Sequence, residues 1–219
     1  MHVLYEDNHL LVVNKPPGLV TQGAAEGEPS LVTQAKAYLK AKYQKPGNVY
    51  VGVVSRLDAP VSGVVVLART SKAAQRLTKQ FRERETSKFY WALVSGSPPA
   101  QGELRDWLIK DERQQKVIVV AAQTPGAKEA VLRFRVREAM RGGAWLEVEL
   151  ITGRKHQIRV QLAARGWPVL GDAKYGSRES FASGIALHAR TLELEHPVQK
   201  QPLSITAPVP KAWEKWGVS

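Results

Sequence analysis

Cysteine is absent from the chain, which excludes disulfides and any thiolate-ligated zinc or iron–sulfur site. Histidine is sparse, with five residues scattered along the sequence, so a histidine-built metal site has little support. Long hydrophobic runs are missing too. The longest near the start, Leu10-Leu11-Val12-Val13, falls far below the ~20 apolar residues of a membrane span and is too short for a signal-peptide core. A cytoplasmic protein without membrane contact is the expectation. Acidic residues are the last shortage: 20 Asp and Glu face 32 Lys and Arg, for a net charge of +12. Such a field draws polyanions, so RNA or DNA is the leading partner class, and a solvated basic surface is the plain alternative. What the chain does have is 219 residues with 43% hydrophobic and 24% charged content, ordinary material for a globular core. The length suits a single domain over 1–219, with any internal division expected at 97–102, "SPPAQG".

The patterning predicts an α+β fold on a mainly antiparallel mixed sheet flanked by helices and loops. Residues 2–14 read as two strands turning at Asp7-Asn8, and the Pro- and Gly-rich "KPPGLVTQGAAEGEPS" that follows reads as loop. Ser30 is placed to cap a helix to about Tyr43, with Leu31, Ala35, Tyr38 and Leu39 on one face. Gly63 to Ala68 is a continuous apolar strand. Thr70 caps a basic helix to about Glu85, with Ala74, Leu77 and Phe81 facing inward. Phe89 to Ser95, Val131 to Glu138, Ala144 to Thr152 and Ile185 to His196 read as strands. In the second of these, Leu132, Phe134 and Val136 alternate with Arg133, Arg135 and Arg137, giving a basic outer face. It forms a hairpin with the third across Gly142-Gly143. His156 to Gly166 reads as a helix closed by its glycine, and "PKAWEKWG" as a short terminal helix.

Four segments place charged or aromatic groups where chemistry could use them. In "VVSRLDAPVSGVVVLA" (Val53 to Ala68), Asp58 follows an apolar run in a loop stiffened by Pro60 and Gly63. A carboxylate held there can serve as nucleophile or base, and Arg56 could meet a phosphate. Taken alone, the segment is most simply a surface turn with a local ion pair. In "SKFYWALVSG" (Ser87 to Gly96), Lys88, Tyr90 and Ala92 share a strand face. Tyr90 could stack on a base while Lys88 meets phosphate, or it could be a core aromatic. In the third segment, Ile151 to Ser177, Arg154-Lys155-His156 crowds cations at a helix start, against the helix dipole, which an external anion would relieve. Arg159 lies near the face of His156, and Gly166, Gly171, Asp172, Tyr175 and Gly176 follow. In "IALHARTLELEHP", His188 reads as a structural histidine.

In this order and spacing, "LLVVNKPPGLVT", "SRLDAPVSGVVVLA", "KFYWALVSG", "TGRKHQIRVQL" with the later "GDAKYG", and "LHARTLELEHP" resemble the RluA-type pseudouridine synthase family. The resemblance covers most of the chain. It implies a catalytic domain with a central cleft and an isomerase that detaches uracil from its ribose and rejoins it through carbon 5. Asp58 matches the catalytic aspartate. Tyr90 matches the tyrosine that stacks on the target base, and Arg159 the basic residue that pairs with the aspartate. Arg56 matches the loop arginine that enters the RNA stack when the uridine flips out. Lys88, Arg154, Lys155 and His156 join the expected RNA-binding set. The reaction conserves every atom, so the resemblance implies no metal, nucleotide or redox cofactor. Ribosomal or transfer RNA is the expected partner of a monomer that needs no protein partner.

Three positions depart from the family pattern. Ser55 stands for the usual His before Arg-Leu-Asp, Val61 for the usual Thr before Ser-Gly, and Gln161 for a His on the helix. The chain starts at the catalytic region rather than at the S4-like domain of many relatives, so its own basic surface is expected to supply RNA affinity. Two rivals stay open. A base-releasing N-glycosidase would use the same aspartate but ordinarily needs a second carboxylate. A catalytically idle RNA-binding protein has no evident need for the Asp58, Tyr90 and Arg159 set.

Overall fold

Asp7 makes the first turn. Its carboxylate accepts the backbone N–H groups of His9 and Leu10, each at 2.7 Å, so the chain reverses between strand β1 (His2–Glu6) and strand β2 (Leu10–Lys15). The computed structural model describes residues 1–25 and 27–218. Its backbone falls into two compact units, residues 1–86 with 189–219, and residues 87–188. "SPPAQG" runs from the β5–β6 connection into the start of β6, inside the second of these.

In the first unit, β2 pairs antiparallel with strand β4 (Ser62–Ala68), and the sheet runs β1-β2-β4-β10. Two-residue strand β3 (Gly52–Val53) lies on β4, and strand β11 (Pro202–Thr206) lies on strand β10 (Leu187–Glu195). β10 belongs to this unit from Ala189 onward. The runs Leu10–Val13 and Val64–Ala68 are apolar without alternation because both faces of the sheet are covered. One face packs Leu10, Val12, Val64 and Val66 with Ala73 and Leu77 of helix α2 (Ser71–Glu83). The other packs Leu11, Val13, Val65 and Leu67 with Leu31, Ala35 and Leu39 of helix α1 (Leu31–Lys42).

Both helices start where the sequence places them. Ser30 and Thr33 form a reciprocal cap on α1, and Thr70 accepts the N–H of Ala73 on α2. The buried face of α2 sits one residue earlier than its periodicity suggests. Ala73, Leu77 and Gln80 are buried, while Ala74 and Phe81 are half-buried. Gln80 explains the shift, since its amide donates to Glu195 O and accepts from Glu195 N at 2.9 and 3.2 Å, tying α2 to β10.

The second unit is an antiparallel sheet in the order β5-β9-β8-β6-β7. Its strands are β5 (Ser87–Ser95), β6 (Gln101–Asp111), β7 (Lys116–Val120), β8 (Lys128–Met140) and β9 (Gly143–Leu150). β8 and β9 form the expected hairpin, whereas β6, β7 and β11 carry no strand assignment in the sequence reading. β6 alternates cleanly, with Leu104, Asp106 and Leu108 buried, but its charged residues obscure the apolar period. The outer face of β8 is not a free basic surface. Arg133 bonds Glu103 and approaches Glu149, Arg135 bonds Glu147 at 2.6 Å, and Arg105 pairs with Glu129 and Glu103. Register sets the lattice, because Arg133 lies opposite both Glu103 and Glu149 and Arg135 opposite Glu147.

Helix α3 (Gln157–Ala163) is shorter than expected. His156 precedes it in the left-handed region, φ 55°. Gly166, also left-handed, closes it, with Gly166 N–H donating to Ala163 O and Trp167 N–H to Leu162 O, each at 3.0 Å. The terminal "PKAWEKWG" holds a 3₁₀ helix over Lys211–Trp216 rather than an α-helix. No helix among the described residues is long and apolar enough to cross a membrane.

Candidate active site

The segment from Val54 to Val61 leaves regular structure between β3 and β4, and its backbone is tied down from one neighbouring loop. Lys15, at the end of β2, is fully buried. Its ammonium donates to the carbonyls of Pro16, Leu19 and Ala59 at 2.9, 2.7 and 3.1 Å. Gly18 N–H reaches the same Ala59 carbonyl at 2.8 Å. Thr21 completes the clamp, its hydroxyl donating to Leu57 O at 3.0 Å and accepting Leu57 N–H at 3.2 Å. The Val61 N–H closes a turn onto Asp58 O at 3.1 Å. Asp58 is thus a half-buried carboxylate on a loop fixed on both sides of it. Burial pushes the Lys15 ammonium down to about 8, against the opposing attraction of the Asp58 charge.

Two details decide against a plain surface turn. Arg56 is exposed and makes no ion pair among the described residues, so the local Arg56–Asp58 pair is not formed. Gly63, just past the loop, has φ +119°, and a Cβ there would sit 2.3 Å from Ala189 O and 2.6 Å from Ala189 N. Only glycine lets β10 approach so closely at the exit of the loop.

The other candidates lie in the second unit. Tyr90 is half-buried on β5, opposite Val148 of β9. Lys88, two residues earlier on the same face, brings its Nζ to 3.9 Å from the position a Cβ on Gly153 would take. The crowded helix start is partly satisfied by the protein itself. Arg154 Nε donates to Glu129 O at 2.8 Å, and His156 Nδ1 lies 2.8 Å from the Tyr175 hydroxyl. Lys155 is exposed and within the electrostatic reach of Glu112, whose carboxyl is lowered first by its Lys110 hydrogen bond.

Arg159 points inward from α3 and is 4% exposed. Asp172 holds it in a two-point fork, Nε to Oδ2 at 2.6 Å and the second nitrogen to Oδ1 at 2.9 Å. The Tyr175 ring lies 5.0 Å from the guanidinium carbon, and its hydroxyl also accepts Val117 N–H at 3.1 Å. Thus His156, Arg159, Asp172 and Tyr175 form one cluster, and three loop glycines frame it.

The sequence shows Asp172 and Tyr175 beside the helix without assigning either a role, and it does not single out Lys15 or Thr21. For Lys15 a signal existed, since a lysine ending the buried run "LLVVNK" must satisfy its ammonium inside. Gln161, one of the departures, is fully buried. Its amide reaches Asp106 Oδ2 at 2.7 Å and the carbonyls of Leu104 and Ala130, and Asp106 also accepts from Arg165 at 2.7 Å. Gln161 therefore fastens α3 to β6 and β8. His188 is fully buried, as a structural histidine would be.

Residues 9–164 match the family model for RNA pseudouridylate synthases. The chain is 37% identical to the ribosomal large subunit pseudouridine synthase D of Xanthomonas campestris over 96% of its own length, and spans 66% of that protein. It is 38% identical to the dual-specificity RNA pseudouridine synthase RluA of Escherichia coli, covering 94% of this chain and 92% of that one. Among solved structures, human RNA pseudouridylate synthase domain containing 4 aligns over 98% of this chain and 92% of its own, with 25% identity and a TM-score of 0.82. A clamped aspartate loop, a strand tyrosine and an arginine forked by a buried carboxylate thus sit in a sequence matched across most of its length, and the chain belongs to the RluA-type RNA pseudouridine synthase family.

Proposed function

We propose that this protein isomerises a uridine in structured RNA, ribosomal or transfer, to pseudouridine, with Asp58 as the nucleophile. The observation that carries the reading is the Asp58 loop. A carboxylate on backbone pinned by Lys15, Gly18 and Thr21 is pre-organised for attack in a way a solvated turn is not. In the reaction the C1′–N1 bond breaks, the uracil turns, and C5 bonds to C1′. The hydrogen on C5 leaves as a proton and N1 takes one up, so no atom or electron is gained. Tyr90 is assigned to stacking on the base, and Arg159 to holding the aspartate ionised. Exposed Arg56 is assigned to filling the RNA stack when the uridine leaves it, a step that costs a few kcal/mol. Lys88, Arg154, Lys155 and His156 are assigned to the RNA around the target. The names of the relatives, which include a ribosomal large subunit enzyme, favour ribosomal RNA within this range. The enzyme is proposed to work as a cytoplasmic monomer.

Mapping pseudouridine across total RNA from cells with and without the gene tests the reading, together with purified protein and its Asp58→Asn variant. A site lost with the gene, and restored by the parent but not by the variant, is the expected result. Free uracil without the carbon-linked isomer would instead identify an N-glycosidase, and an Asp58→Asn protein as active as its parent would remove Asp58 from the chemistry.

A further inference from the structure

The excess positive charge of the first unit is not spread evenly. Residues 29–57 contain Lys36, Lys40, Lys42, Lys45 and Arg56 and not one Asp or Glu. Lys42 turns to Glu6 at 2.8 Å. Lys36, Lys40 and Lys45 are exposed and have neither an ion pair nor a side-chain hydrogen bond among the described residues. Lys36 and Lys40 lie one turn apart on the exposed side of α1, flanking its buried Leu31, Ala35 and Leu39. With Ala37, Gly47, Asn48 and Val49 they line an open depression of about 330 Å³. Tyr50 follows, 49% exposed, its ring held against Gly52.

Several cations elsewhere are engaged. The β8 arginines are paired to glutamates, Lys79 and Arg82 of α2 both approach Glu83, and Arg76 donates to Pro197 O at 2.7 Å. Like charges one turn apart weaken a helix, and Lys36 lies outside the last turn where the helix dipole rewards a cation. An external anion is the compensation that this arrangement lacks.

We propose that the Lys36–Lys40 face of α1, with the loop to Tyr50, docks the phosphodiester backbone of the substrate RNA. This surface is additional to the residues assigned to the chemistry, and the proposal rests on the RNA-modifying function proposed above. Lys36 and Lys40 line the depression together with Asn48, and two ammonium groups with no acidic residue among its lining suit a phosphate rather than a cationic partner. Tyr50 at its edge supplies a stacking surface for an unpaired base.

The test compares the double variants Lys36→Gln/Lys40→Gln and Lys79→Gln/Arg82→Gln, which remove equal charge from α1 and α2. Binding of a labelled RNA hairpin with a uridine-bearing loop is measured from low to high salt, alongside pseudouridine formation at saturating RNA. The α1 variant is expected to bind about tenfold more weakly at physiological salt. Its slope of log affinity against log salt should be flatter by about 1.4 to 1.8, as for two lost phosphate contacts. Its turnover at saturation and melting temperature should match the parent, and the α2 variant should keep the parental slope. An α1 slope no flatter than that of the α2 variant would overturn the proposal, whether or not the parent makes pseudouridine. Loss of polyglutamate binding without loss of RNA binding would likewise overturn it and assign the face to an acidic protein. A parent that binds RNA with the expected slopes but makes no pseudouridine would instead refute the function and leave the surface standing.

Discussion

Lys15 Nζ lies 3.1 Å from the carbonyl oxygen of Ala59, the residue that follows Asp58. A buried cation therefore holds the backbone of the nucleophile loop rather than facing solvent. Replacing it by methionine keeps the stem and strands three carbonyl acceptors. Lys15→Met is expected to cost about 3 kcal/mol in denaturant unfolding and to lower turnover more than RNA affinity. An unchanged stability would show that the carbonyls find other donors.

The same lysine carries a pH signature. In the folded protein its ammonium is pushed down to about 8, from 10.5, so between those values the unfolded chain holds a proton that the folded chain has released. Unfolding free energy should therefore rise with pH across this window, by up to about 3 kcal/mol. The full penalty of the buried charge is present below pH 8. Lys15→Met should lack this rise, and the difference between the two stability profiles measures it.

Glu6 gives the opposite case. Burial works to raise its carboxyl, but hydrogen bonds from Lys42, Tyr43 and Tyr38 outweigh it and hold the group at about 2. Those bonds are 2.8, 2.6 and 2.8 Å long. The stability they contribute is complete above pH 4.5 and is lost as pH falls toward 2. Glu6→Gln should be destabilised by about 2 kcal/mol at pH 7, with the gap to the parent closing in acid. A constant gap down to pH 2 would contradict this.

Gly63 and Gly18 separate crowding from backbone strain. Both have positive φ, +119° and +86°, but a Cβ at Gly63 meets Ala189 backbone at 2.3 Å while one at Gly18 meets nothing within 4 Å. Gly63→Ala should cost more than ~3 kcal/mol and Gly18→Ala only ~1. Equal melting temperatures for the two variants would mean that β10 yields freely to the added methyl.

Asp172 is the counter-charge of a guanidinium that is 4% exposed. Asp172→Asn keeps the shape and removes the carboxylate that forks this guanidinium, so about 2 kcal/mol of stability should be lost, with turnover falling more than RNA affinity. Asp172→Glu restores the charge and should recover part of both.

The sequence alone determined a good deal, for physical reasons that act locally. Caps at Ser30 and Thr70, the Asp7 turn and the β8–β9 hairpin depend on residues a few positions apart, and these were legible. The unbroken apolar run from Gly63 to Ala68 announced a strand, and the helices on both its faces came only with the fold. The chemistry of the Asp58 loop was legible only as an ordered set of motifs, because one charged turn resembles another.

Tertiary structure decided what separates a charge from its use. Arg133, Arg135 and Arg137 make a basic outer face in the sequence, yet strand register sets glutamates opposite the first two, and Arg137, at a bulge, approaches Glu147. Lys15 looks like the polar end of a strand, yet the loop from Pro16 to Leu19 folds back with Ala59 to bury its ammonium. Arg159 is one cation among several until Asp172, thirteen residues on, takes both sides of its fork. A residue type states which charge is present. Whether that charge is spent inside the protein or remains for a substrate depends on partners that only the folded chain brings within hydrogen-bonding distance.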